Sequence, residues 1–139
     1  MTELRAQSRL TSVPQGSVFS APYWEGCAIG ELRFQRCGGC AAALHTPAAV
    51  CWRCRGSDLR WERSSGRGVI HSFTVVRRPV SVEFDVPYAP IIVEMEEGWL
   101  MLSALVGCDD SEVAIGMEVR VEFHGGPGGP VLPYMRPCD

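Results

Sequence analysis

Lysine is missing from this chain. All thirteen basic residues among its 139 are arginine, so no side chain is available for Schiff-base chemistry. Long apolar runs are missing as well. None approaches the roughly eighteen residues a membrane-spanning helix needs. The opening stretch, MTELRAQSRLTSVPQG, has neither an apolar core nor a cleavage-like site, which gives a cytoplasmic expectation. The recognisable catalytic signatures are absent too: no Gly-x-Ser-x-Gly elbow, no His-Glu-x-x-His, no P-loop and no Gly-x-Gly-x-x-Gly. The three histidines, His45, His71 and His124, read as packed or exposed side chains. No residue of this chain is assigned a catalytic role.

Hydrophobic residues make up 46% of the chain and charged residues 21%, a globular composition. The net charge of −3 conceals an asymmetry. Residues 31–80 carry nine arginines against Glu31, Asp58 and Glu62, a net of +6, while residues 81–139 carry two arginines against eleven acids, a net of −9. The first nineteen residues lack periodicity and read as mobile. In SAPYWEGCAIGEL, Ser20 can cap a short helix, Pro22 sits in its first turn and Gly30 can stop it. Trp24, Cys27 and Ala28 would share one face. So short a helix is unstable alone in water and must dock on something.

The remainder reads as β-structure. IIVEMEE alternates, with Ile91, Val93 and Met95 on one face, and Glu97-Gly98 reads as a turn into WLMLSALVG. GMEVRVEFHG alternates most cleanly, with Met117, Val119, Val121 and Phe123 opposite Glu118, Arg120, Glu122 and His124. The run of Glu94, Glu96 and Glu97 reads as solvated. GGPGGP is a flexible break, and VLPYMRP a short extended tail. The fold class expected is mainly β: a short N-terminal helix, a cysteine-bearing unit and a small closed barrel of about five strands. The divisions are 1–30 for the lead and docking helix, 31–62 for the cysteine unit, and 63–139 for the barrel with its tail.

Four of the seven cysteines lie in CGGCAAALHTPAAVCWRC: Cys37, Cys40, Cys51 and Cys54, two Cys-x-x-Cys turns with a ten-residue spacer. A thioredoxin-like redox pair needs one such turn in a βαβ frame, which is absent. Disulfides do not suit a reducing compartment. Four thiolates in a tetrahedron suit zinc, with rubredoxin-like iron also open. Small residues favour backbone N–H groups pointing at sulfur, and Gly38, Gly39 and Gly56 are placed for it. A short hairpin with Pro47 at its tip fits the spacer. Four protein ligands close the metal to water and substrate, so the site is structural. Cys27, Cys108 and Cys138 have no partner at motif spacing.

The order YWEGCAIGEL, CGGC, CWRC, GSDLRW, SGRGVIHSFTVVRRP, PYAPIIVEME, IGMEVRVEF and LPYMRP resembles the acyl-CoA-associated OB-fold family with an N-terminal rubredoxin-like zinc ribbon, domain of unknown function 35 (DUF35). The resemblance runs from Tyr23 to Pro137. It implies an accessory subunit that is not catalytic alone and that works beside a thiolase-like enzyme, such as a steroid side-chain aldolase, or a MaoC-like hydratase. It implies a heterotetramer and a coenzyme A thioester as ligand, with a lipid or steroid side chain as acyl group. On the residues, Tyr23 and Trp24 are the partner-contact candidates, and Arg53, Arg55, Arg77 and Arg78 the candidates for the phosphates of coenzyme A. The competing reading is a nucleic-acid-binding zinc-ribbon and OB module. It calls for stacking aromatics on a basic barrel face, whereas the barrel half is acidic and has Trp99 as its one tryptophan.

Overall fold

A computed structural model describes residues 1–9, 14–125 and 129–139. The chain opens with helix α1 (Ala21–Ala28). A three-stranded antiparallel sheet follows, β2-β1-β3, from β1 (Arg33–Cys37), β2 (Ala43–Leu44) and β3 (Leu59–Arg63). The rest is a closed barrel of β4 (Arg67–Phe73), β5 (Ala89–Met95), β6 (Leu100–Leu105), β7 (Glu118–His124) and β8 (Leu132–Pro137), in the order β4-β5-β6-β8-β7.

Alternation places the barrel interior. Ile91, Val93 and Met95 of β5 are buried, and so is Val119 of β7, with Met117, Val121 and Phe123 packed against the core beside it. The barrel closes through the segment read as a tail. VLPYMRP supplies β8, antiparallel to β7 from Val119↔Pro137 to His124↔Leu132 and parallel to β6 at Leu105↔Met135. Its two prolines hide the strand in the sequence, because proline cannot donate to a ladder. Here the edge facing β6 is paired at one register position, so the missing donors cost little.

Helix α1 ends as Gly30 allows. Its φ of +78° suits glycine, and the Glu31 N–H reaches the Gly26 carbonyl at 2.8 Å while the Gly30 N–H reaches that of Cys27 at 3.2 Å. This pair of bonds is a Schellman stop. The buried face is Tyr23, Gly26 and Cys27, which turns Trp24 and Ala28 together toward an outer groove. Ser20 occupies the N-cap position without a side-chain bond to the helix; its Oγ accepts from the Ser17 N–H at 2.8 Å. Gly26 explains the rotation. A Cβ there would lie 2.6 Å from the Glu31 carbonyl oxygen, so this face sits against the chain entering β1.

Two further expectations change. The first residues are tied to the barrel. Glu3 bridges to Asp109, Leu4 is 1% exposed, and buried Asp110 accepts from the Thr2 N–H and from Arg77. Gln7 and Ser8 bond to Asp85 in the loop between β4 and β5. The positions 10–13 of the stretch read as mobile, and 126–128 of GGPGGP, lie outside the described residues. Glu97, read as solvated, accepts from Ser64 Oγ, the Ser65 N–H and Trp99 Nε1 at 2.7–3.0 Å. Burial pushes its carboxyl up, but these three donors outweigh it and hold the group below the usual carboxylate range.

Ribbon, helix and barrel share one core. Phe34 of β1 stacks on Trp99, with ring centroids 5.6 Å apart. His45 lies 4.9 Å from Trp99 and 5.3 Å from Tyr23. Leu32, Phe34, Tyr23 and Cys27 belong to the same buried cluster as the barrel residues and Leu4. Leu4→Ala should therefore cost about 2–4 kcal/mol in chemical denaturation, whereas Leu102→Ala, at 69% exposure, should change stability by less than about 0.5 kcal/mol. Equal effects would refute the anchoring of the N-terminal segment.

Candidate metal centre and its surroundings

The turn between β1 and β2 is the first cysteine knuckle itself. The Cys37 N–H bonds to the Ala42 carbonyl and the Ala41 N–H to that of Cys37, both at 2.9 Å. The hairpin thus turns at residues 38–41, and Pro47 lies beyond it in the spacer. Buried Gln35 fixes that spacer by bonding both the N–H and the carbonyl of Ala48, at 2.8 and 3.1 Å. A Cβ at Gly38 would displace the Asp58 carboxylate, whose Oδ2 lies 2.1 Å from that position. The second knuckle, Cys51–Cys54, precedes β3 and repeats the first. The Arg55 N–H bonds to the Cys51 carbonyl at 2.9 Å, and Ala41 and Arg55 adopt φ of +64° and +63°.

These turns gather Cys37, Cys40, Cys51 and Cys54, whose Sγ atoms all lie within 4.8 Å of one another. Cys37 and Cys54 are 3.5 Å apart, and Cys40 and Cys51 3.7 Å. A tetrahedral ion with Zn–S near 2.3 Å requires sulfurs about 3.8 Å apart, so the cage fits such an ion. The N–H groups of Gly39, Arg53 and Gly56 each reach a sulfur at 3.4 Å. The electrostatics agree. Backbone donors of the first turn hold the Cys37 thiol below its ordinary value, and those of Cys54 and Arg53 bring Cys51 down to about 7. The Gly56 N–H also lowers Cys54, but its hydrogen bonds with Cys37 and Cys40 win and push it up to about 11. Four sulfurs this close cannot all ionise unaided, and a divalent ion replaces the shared protons. The ion would be wholly protein-ligated. It would cross-link the turns and offer no reactive position.

The other candidates separate. Tyr23 is 6% exposed, packed between Trp24 and His45, so it is a core residue and unavailable to a partner. Burial raises its hydroxyl far above the ordinary range. Trp24 is partly buried and lines an open groove of about 610 Å³ with Pro14, Val18, Ala21, Ala28 and Pro130. Val18, Phe19 and Ile29 flank the helix and are exposed. They form apolar surface that carries no motif or period in the sequence. Arg53 and Arg55 are exposed on the second knuckle. Arg77 is paired with Asp110, and Arg78 is exposed beside it on the β4–β5 loop. The four arginines therefore divide between two elements, and Arg77 is already engaged. His45 faces the aromatic seam rather than the sulfurs. Burial lowers its imidazole to about 4, so it is neutral at physiological pH. His124 Nε2 shares a 2.8 Å bond with Glu122. Trp99 is buried and offers no stacking surface to a nucleic acid.

Purified protein should carry about one zinc or iron ion per chain by elemental analysis, and Cys40→Ser should lose it together with the ribbon's hydrogen-exchange protection. A folded ribbon without metal would contradict the reading of the cage.

Two family models match the chain. Residues 24–60 match the ChsH2 rubredoxin-like zinc ribbon domain, and residues 61–124 the ChsH2 C-terminal OB-fold domain. The chain is 37% identical over 110 residues to the 3-oxo-4,17-pregnadiene-20-carboxyl-CoA hydratase alpha subunit of Mycobacterium tuberculosis, covering 79% of this chain and 35% of that protein. It thus spans about a third of the length of that relative. A DUF35 domain-containing scaffold protein of Methanothermobacter thermautotrophicus is 36% identical over 68% of this chain and 72% of its own. Among solved structures, a chain of the Ltp2-ChsH2(DUF35) aldolase superposes with a TM-score of 0.81 at 29% identity, covering 89% of this chain and 98% of that one. No described helix is long and apolar enough to cross a membrane. With the cysteine cage, the strand order and these likenesses in agreement, the chain belongs to the DUF35 family, in the form that joins a rubredoxin-like zinc ribbon to an OB-fold barrel.

Proposed function

We propose that this chain is a non-catalytic accessory subunit. It binds a thiolase-superfamily partner and helps to form that partner's acyl-CoA site or channel, supporting carbon–carbon bond chemistry such as thiolysis, condensation or retro-aldol cleavage. The observation that carries the reading is the likeness, over 89% of the chain, to the DUF35 component of an aldolase whose name joins two proteins. The similarity to a hydratase alpha subunit supports a second partner, a MaoC-like hydratase, for the same scaffold. The reading gives this chain zinc as its structural ion and a cytoplasmic setting, with an assembly of two chains of each kind.

The physical layout supports a docking role. The outer side of α1 presents the Trp24 groove with Val18, Phe19 and Ile29 around it. The barrel wall presents Leu100 and Leu102, and the β4–β5 loop Val80 and Val82, all exposed. Aliphatic surface of this kind gains by burial against a protein. The closed thiolate cage leaves acid–base work and nucleophilic attack to the partner. The partner should co-purify with the tagged chain from its native host. Trp24→Ala should weaken that capture about tenfold or more, in line with an aromatic anchor worth about 2 kcal/mol, with metal content unchanged. Undiminished capture would remove α1 from the interface, and co-purification with nucleic acid alone would overturn the subunit reading.

A further inference from the structure

The outer wall of the barrel is apolar at one end and acidic at the other. Alternate residues of a strand face the same way, so Pro90, Ile92 and Glu94 of β5 stand beside β6, with Ile92 opposite Leu102 and Glu94 opposite Leu100. In β4 a bulge between Ile70 and Ser72 shifts the register and places Ser72 opposite Ile92. The small side chain of Ser72 leaves an open notch of about 270 Å³, bordered by Phe73, Pro90, Ile92 and Leu102. Leu100 and Leu102 are 51% and 69% exposed. At the acidic end, Glu94, Glu96 and Glu118 surround a second depression with Arg67. All three acids are exposed, and among the described residues none of them forms an ion pair. The second cysteine knuckle has the opposite character. Val50 and Trp52 are 51% and 74% exposed. Arg53 and Arg55 beside them are exposed too, and among the described residues neither has a carboxylate within bridging distance. Within one chain the two surfaces do not cover each other, since Trp52 and Leu102 both stand open.

We propose that these surfaces meet between two copies of this chain, with Trp52 of one copy seated in the barrel notch of the other and its arginines turned toward the acidic end. The occupant is a second copy because the chain carries both halves of the match: an apolar knob with a basic flank and an apolar notch with an acidic one. Glu94 lies one same-face step from Ile92, about 7 Å along β5, a distance that the extended side chain of Arg53 covers. The contact takes an indole and two leucines out of water and pairs charges that have no partner in the single chain. Each chain gives one knob and receives one, which closes a two-fold pair; a one-way contact would run on into open filaments. Neither surface includes α1, so a second copy and a partner enzyme would not compete for that helix.

Sedimentation velocity on the metal-loaded full chain, over a range of micromolar concentrations, tests it. Two chains per particle are expected, with added salt weakening the pair by about tenfold or more. Trp52→Ala removes the knob and Leu102→Asp spoils the notch. Each should weaken pairing by about tenfold or more with metal content unchanged, since both residues are exposed. Mixed together, the two variants should pair again, because one retains the notch and the other the knob. Two walls or two knuckles meeting face to face would not give that recovery. A chain that stays single throughout, a Trp52→Ala variant that still pairs, or a mixture without recovery would overturn the contact. A chain that stays single while Leu102→Asp loses its capture of the partner enzyme would also overturn it, would assign the wall to that enzyme, and would leave the accessory-subunit reading intact.

Discussion

The aromatic seam between Phe34 and Trp99 is the contact on which the rest of the molecule depends. The ribbon is too small to hold itself: its own core is Cys37, Ala42, Leu44 and Cys51, with Cys40 and Leu59 alongside. Half of that is metal-ligand sulfur. The opposite face of β1 is closed by the barrel, where Phe34 lies on Trp99 and Tyr23 of α1 packs over His45. Trp99 is in turn fixed by Glu97, which also holds Ser64 and Ser65 at the turn between ribbon and barrel. A metal in the cage at one end and a stacked seam at the other would turn three small pieces into one body. Below a certain size, cross-links must replace buried apolar area, and the cysteine cage is built to supply one.

That rigidity has a functional consequence. The inner side of α1, β1 and the barrel share a single core, which sets the outer side of α1 and the apolar barrel wall relative to each other. A scaffold that completes another protein's site needs its contact groups held in place before the partner arrives, since ordering on binding subtracts from affinity. The N-terminal segment contributes to this. Through Leu4, Asp110 and Asp85 it fastens the long β4–β5 loop to the barrel, leaving Val80 and Val82 exposed at the loop's outer part.

The sequence revealed what is encoded locally. Two Cys-x-x-Cys turns name the four sulfurs that gather by spacing alone, and the alternation of β5 and β7 survives because each strand has one face in the barrel. Residues whose fate depends on distant contacts were hidden. An eight-residue helix offers too few positions to settle which side is buried, so Tyr23, read with Trp24 as a partner contact, belongs to the core instead. Pro133 and Pro137 concealed β8, whose pairing is visible only once the barrel closes. Leu4 is a single apolar residue in a polar stretch and carries no period. Trp52 lies inside the cysteine motif, and only the structure shows that it is exposed.

The central claim is that this chain supplies a surface and not the chemistry. Reconstitution measures this most directly: acyl-CoA turnover by the chain alone, by its co-purified partner alone, and by the two together. The account predicts no turnover from the chain alone and a rate from the pair that clearly exceeds the partner's own. Turnover of an acyl-CoA thioester by the isolated chain, or a partner whose rate is indifferent to its presence, would contradict it.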